Sequence, residues 1–203
     1  MMEFLIMLSV MMLWAALHSW LASNNAKAWA KHRFGMVAER GYRLAYNVVS
    51  VVTLAPIALL MRTLPDHTLY AARAPWSAVL LAAQAISGLL AALAVVQTGL
   101  LHFAGLAQVV GERSASGLTR TGLYALVRHP IYLFGLLFLW LSQSMSANQL
   151  ALWIALSIYF FVGATLEEKR LVEEFGSEYQ DYRESTPMII PGFKWPARRK
   201  SAL

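Results

Sequence analysis

Residues 129–166 read HPIYLFGLLFLWLSQSMSANQLALWIALSIYFFVGATL, thirty-eight positions without a single Lys, Arg, Asp or Glu. A bilayer core about 30 Å thick takes a helix of roughly 20 residues, so the run is long enough for two. Its middle, Ser142-Gln143-Ser144-Met145-Ser146-Ala147-Asn148, is polar and reads as the turn of a hairpin. The pattern predicts helices near 131–143 and 149–166. The first of these is short for a full crossing, which points to a tilted or partly sunken hairpin.

Outward from this stretch the same test finds three more spans. Phe4–Ala26, Leu44–Met61 and Ala74–Gly111 also lack formal charge, and they predict helices near 4–22, 44–61 and 76–99. Residues 100–111, apolar but interrupted by Gly, His and Gln, are expected along the membrane interface. The whole chain is 58% hydrophobic and 14% charged, too little polar surface for a soluble domain of 203 residues. The expected fold is therefore all-α and integral to a membrane, with about five transmembrane helices. Glu3 is the only early charge and the first apolar run is long, so that run is expected to be a retained helix rather than a signal peptide. The absence of cysteine excludes disulfides, thiolate metal sites and a cysteine nucleophile. His18, His32, His67 and His102 show no ligand spacing, and no metal or haem site is expected.

The formal net charge of +6 is topological rather than a nucleic-acid signal, because of where the basic residues fall. The first loop carries Lys27, Lys31, Arg33, Arg40 and Arg43; the third carries Arg113, Arg120 and Arg128. The segment after the last span adds Lys169, Arg170, Arg183, Lys194, Arg198, Arg199 and Lys200. The second loop holds only Arg62 and Arg73, and the fourth none, a division of fifteen against two. The positive-inside rule then predicts an outside N-terminus and a cytoplasmic tail, in a bacterial-type inner membrane.

Polar chemistry gathers in two blocks that this topology puts on the cytoplasmic side. In Gly117-Leu118-Thr119-Arg120-Thr121-Gly122-Leu123-Tyr124-Ala125-Leu126-Val127-Arg128-His129-Pro130-Ile131-Tyr132, the glycines permit turns and Pro130 suits a first helical turn. Arg128 and His129 stand just ahead of a helix N-terminus, where free N–H groups and the dipole favour anions. The bland alternative is headgroup anchoring by Arg128 and capping by His129. The second block opens with Glu167-Glu168 at the expected membrane edge, where adjacent carboxylates need a partner. Leu171, Val172, Phe175, Tyr179 and Tyr182 follow at helical spacing, with Glu173, Glu174, Glu178 and Asp181 opposite and Pro187 and Pro191 as terminators. An acidic face does not suit an anionic leaflet, so this amphipathic helix is expected to lie as a lid on the third loop. Together the blocks suit a zwitterionic, purine-bearing cofactor.

Those same residues resemble the isoprenylcysteine carboxyl methyltransferase and phospholipid methyltransferase superfamily. The resemblance is carried by Thr121 to Tyr132, then Glu167-Glu168, then Phe175 to Tyr182, then Pro187, and covers roughly residues 108–193. His18-Ser19 and Tyr42 to Ser50 are similar to its bacterial branch, NnrU-like proteins included, and Tyr182 to Pro191 to bacterial methanethiol S-methyltransferases. The resemblance implies that residues 108–203 form the methyltransferase core and 1–107 the first three helices with their loops. It implies S-adenosylmethionine as cofactor, contacted by Leu118, Thr119, Gly122, Tyr124, Val127, His129, Pro130, Tyr132, Glu167, Tyr179 and Tyr182. Arg128 would then neutralise a carboxylate, and Glu167 or Glu168 would hold an ammonium or take a proton.

The acceptor stays open between a small or lipophilic thiol or isoprenylcysteine-type group entering from the bilayer and a phospholipid amine. A non-enzymatic protein that keeps the fold is the third reading. Residues 159–166 are uncharged where prenylcysteine enzymes tend to carry a basic residue for the substrate carboxylate, which weakens that acceptor.

Overall fold

A computed structural model describes residues 1–111 and 117–193. Arg113, Lys194, Arg198, Arg199 and Lys200, counted above for topology, lie outside the described residues. The chain runs α1 (Met2–Ala22), α2 (Asn24–Phe34), α3 (Met36–Val52), α4 (Ala55–Thr63), β1 (Thr68–Ala71), α5 (Trp76–Gln97), α6 (Leu100–Ala104) and α7 (Leu106–Val109). It continues with α8 (Leu123–Leu126), α9 (Pro130–Trp140), β2 (Ser144–Ser146), α10 (Ala147–Phe175) and α11 (Ser177–Ser185).

Among the described residues four segments are long and apolar enough to cross a membrane: Met2–Ala22, Met36–Thr63, Trp76–Gln97 and Ala147–Phe175. Pro130–Trp140 is a shorter apolar helix. Leu13 and Leu89 are each 71% exposed, a placement that suits lipid and not water. The protein is an all-α, multi-pass membrane protein.

Helix contacts rest on small residues and glycines. Ala151 and Ala155, one turn apart on α10, are buried against Met7 and Met11 of α1 and Ile57 of α4. Without a hydrophobic drive between helices in lipid, such small side chains let neighbours approach and gain dispersion contacts. Along α5, Gly88 faces the Phe138 ring of α9, where an added Cβ would sit 3.4 Å away. Gln84 on the same helix donates to the Phe138 carbonyl at 2.8 Å.

Several details go beyond the expectations. The first loop is largely helical: Ser23 caps α2, accepting from the Ala26 N–H at 3.2 Å, and Gly35 ends it at φ 58°. Residues 100–111 pack on α3, where an added Cβ on Gly105 would lie 2.6 Å from the Leu44 nitrogen. Asn47 donates to the Ala104 carbonyl at 2.9 Å in the same contact. The second and fourth loops pair with each other, β1 with β2 antiparallel, and Asp66 accepts from the Asn148 N–H at 3.1 Å beside them.

The last long helix does not stop at Leu166. Its 29 residues span roughly 44 Å at 1.5 Å each, more than a bilayer core, so its final turns project beyond the membrane. Gly176, at φ 57°, then breaks the expected 171–182 helix in two. Pro187 ends the second piece as expected: Thr186 just before it is extended at φ −120°, ψ 133°, the conformation a following proline imposes. α9 leads from Pro130 to the β1–β2 end and α10 returns, so Glu167 and Glu168 come back level with Arg128.

Candidate active site

Gly122 turns the chain into α8 at φ 62°, pressed against the Gln97 amide so closely that a side chain would collide with it. The Leu123 N–H donates to Gln97 Oε1 at 3.2 Å, and the Tyr124 hydroxyl reaches the Ala94 carbonyl at 3.4 Å. Val127 is fully buried and extended, and the chain bends at Arg128. There the chain pairs with the segment after α11: the Arg128 N–H donates to the Pro187 carbonyl at 2.9 Å and the His129 N–H to the Met188 carbonyl at 3.0 Å. Pro130 starts α9 without a wasted donor.

Arg128 and Glu168 lock this junction from inside. Arg128 Nε donates to Glu168 Oε1 at 2.6 Å, and Nη2 forms an ion pair with the same oxygen. Nη1 donates to the backbone carbonyls of Arg183, at 3.0 Å, and Thr186. Four of the guanidinium's five N–H groups are thereby engaged within the protein. The two side chains are only 7% and 10% exposed. Arg183 Nε stands 3.4 Å from Glu168 Oε2 on the outer side.

Glu167 faces the other way, its side chain 48% exposed. The Tyr132 hydroxyl donates to Glu167 Oε2 at 3.1 Å, and His129 Nδ1 lies 3.6 Å from the same oxygen. The other ring nitrogen of His129 is 3.5 Å from Glu168 Oε1, so the imidazole stands between the two carboxylates. His129 and Tyr132 rings are 5.5 Å apart. The structure thus brings together Arg128, His129, Tyr132, Glu167 and Glu168 from both sequence blocks.

Tyr179 and Tyr182 of α11 are buried beneath the junction, their rings 5.9 Å apart, and the Tyr182 hydroxyl donates to the Tyr124 carbonyl. Burial pushes the Tyr124 and Tyr182 hydroxyls up to about 12, and raises Tyr179 as well, where Glu168 adds to the effect. All three phenols are therefore neutral donors at physiological pH. Leu118 and Thr119 are half-buried on the approach to α8, with the Arg120–Glu178 ion pair to α11 beside them. The carbonyls of Arg183 and Thr186 and the Pro187–Met188 pairing escaped the sequence reading, because nothing in residue spacing shows where an extended tail docks.

Three buried polar atoms at this site, His129 Nε2, Arg183 Nε and the Tyr179 hydroxyl, have no hydrogen-bond partner among the described residues, the first two lying against Glu168 at 3.5 and 3.4 Å. With the half-exposed Glu167 they form a donor-and-acceptor set at the end of an apolar bundle. Such a set suits a ligand that carries both a carboxylate and a cationic group.

No family model matches the chain, and no solved structure matches it. Among characterised proteins it is similar to methanethiol S-methyltransferase 1 of Bradyrhizobium diazoefficiens, 32% identical over 195 residues that cover 92% of this chain and 66% of that protein. Methanethiol S-methyltransferase of a Pseudomonas species is 31% identical over 189 residues, 88% of this chain and 70% of that protein. Methanethiol S-methyltransferase 2 of Bradyrhizobium diazoefficiens is 44% identical over a shorter 69 residues, 34% of this chain and 27% of that protein. The chain spans about two thirds of the length of the two relatives it matches along most of its own. It belongs to the methanethiol S-methyltransferase family of membrane methyltransferases, within the isoprenylcysteine carboxyl methyltransferase-like superfamily.

Proposed function

We propose that this chain transfers a methyl group from S-adenosylmethionine to a small thiol that reaches the site from the bilayer. The observation that carries this reading is the half-exposed Glu167 carboxylate, steadied by Tyr132 and His129 while Glu168 is occupied by Arg128. The names of the relatives support the thiol. The bound cofactor supplies a methyl on a sulfonium, open to in-line displacement.

The chain's own residues bind and align. Glu167 faces the cofactor's cationic groups, and His129 and Tyr179 offer donors to its carboxylate. Leu118, Thr119 and Tyr132 give apolar and aromatic surface, with Tyr124, Val127 and Tyr182 packed behind as backing. Gly122 and Pro130 set the course of the loop that carries them. Arg128 acts through position rather than contact: it fixes the 183–188 tail and Glu168 so that His129 and Glu167 face one space.

Orientation belongs to the same reading. The fifteen-to-two division of basic residues supports an outside N-terminus and a cytoplasmic site, with cofactor arriving from the cytoplasm of a bacterial-type inner membrane. Residues 1–107 then serve as scaffold and acceptor side and 108–203 as methyltransferase core. That division concerns labour and not folding, since α1 packs along α10. An acceptor screen tests the proposal: purified chain with methyl-labelled S-adenosylmethionine against methanethiol, a prenylcysteine analogue and phosphatidylethanolamine vesicles. Label is expected in the thioether; label in lipid head groups instead gives the phospholipid reading.

A further inference from the structure

A second polar cluster lies deeper in the bundle, away from the carboxylates. The Tyr46 hydroxyl of α3 stands 2.8 Å from His18 Nδ1 of α1, and the Tyr159 hydroxyl of α10 meets the same nitrogen. An imidazole nitrogen has one lone pair or one proton, so two hydroxyls around it form a shared proton site. Trp14 stacks on the imidazole at 4.6 Å and 22°, and is itself fixed by donating to the Thr53 hydroxyl at 2.9 Å. An ionisable group held so firmly between three membrane helices is expensive to keep without a use.

The cluster adjoins the candidate active site. Tyr159, Gly163 and Glu167 are spaced by four and share one face of α10. Between the two polar levels Gly163 leaves room for about a methyl group: an added Cβ would meet the Tyr132 hydroxyl, the group bound to Glu167, at an ordinary contact distance of 3.6 Å. The Tyr132 and Tyr159 rings both pack against the Phe160 ring, at 5.5 and 6.2 Å.

Resting on the reading of methyl transfer to a thiol, we propose that the acceptor sits over Gly163 between Tyr132 and Tyr159, and that His18 takes its proton through Tyr159. In that step the thiol S–H gives its proton to the Tyr159 oxygen while the Tyr159 hydroxyl proton passes to His18 Nδ1. The sulfur electron pair forms the new S–CH3 bond, and the old sulfonium C–S pair leaves with the departing thioether. The imidazolium then releases one proton to solvent.

The test is single-turnover transfer to methanethiol from pH 6 to 10, with cofactor affinity titrated in parallel, for wild type, His18→Asn and Tyr159→Phe. Asn keeps a polar partner for the hydroxyls, and Tyr159→Phe keeps the His18–Tyr46 contact should the first variant fold poorly. General-base loss predicts a deficit of about 100-fold or more at pH 7 with unchanged cofactor affinity. Because a growing fraction of the thiol ionises unaided as pH rises, the deficit shrinks roughly tenfold or more by pH 10. Variants that match wild type at pH 7 overturn the assignment, as does a deficit that is the same at every pH, the mark of a packing role. A wild-type chain that binds cofactor yet transfers nothing to methanethiol defeats the thiol reading itself.

Discussion

Adjacent side chains on an α-helix diverge by about 100°, and at Glu167 and Glu168 that angle separates two tasks. Glu168 turns inward to a buried guanidinium, while Glu167 turns to a half-open space between His129 and Tyr132. Removing one partner of a buried pair leaves an uncompensated charge, so Arg128→Ala is expected to lower stability by about 3–5 kcal/mol. The double variant Arg128→Met/Glu168→Leu should recover much of that loss, because neither charge is stranded. Thermal unfolding of detergent-purified protein checks both; equal losses for single and double variants would refute the clamp. That the Arg128–Tyr132 loop and Glu167 share one side was legible in the sequence, since a short hairpin must return one block to the other. The engagement of Arg128 was not. A basic residue before a helix N-terminus looks like an anion site until the 183–186 carbonyls that close on it are seen.

The short α8 and α11 illustrate how a site is held by elements too small to stand alone. Their link is the Tyr182 hydroxyl donating to the Tyr124 carbonyl, with both phenols raised to about 12 by burial. A raised folded value means the neutral form is favoured in the native state. The stability these tyrosines contribute is then complete below about pH 10 and is lost as pH rises from there towards about 12. Melting temperatures recorded across pH 8 to 12 should fall in that window, and Tyr182→Phe should blunt the fall; a flat profile contradicts the packing. Element by element, the long spans were readable because a charge-free run leaves little choice in a bilayer. The β1–β2 pair was not, because four and three residues carry no periodic signal and their pairing joins loops far apart in sequence. The break at Gly176 shows the converse case, where helical spacing persists across a residue that ends the helix.

Across the whole molecule the two ends differ in construction. One end is stitched by β1, β2 and the Asp66–Asn148 contact; the other holds the carboxylates, His129 and the docked tail. The basic-residue division predicts which end faces which compartment, and a chain without cysteine makes that easy to read. A cysteine at Leu69, exposed at the stitched end, should react with an impermeant maleimide from outside, and one at Asp181 only after the membrane is opened. The reverse pattern would put the site in the wrong compartment for a cytoplasmic cofactor. Methyl transfer at Glu167 is most directly tested by single-turnover production of labelled dimethyl sulfide from methanethiol and methyl-labelled S-adenosylmethionine, comparing wild type, Glu167→Gln and Arg33→Ala. A charge-assisted contact in a shielded pocket is worth about 2–4 kcal/mol, so Glu167→Gln should be slower by roughly 30- to 1,000-fold. The exposed Arg33 should be near-neutral when replaced. Equal rates for Glu167→Gln and wild type, or no labelled thioether from wild type at all, would contradict it.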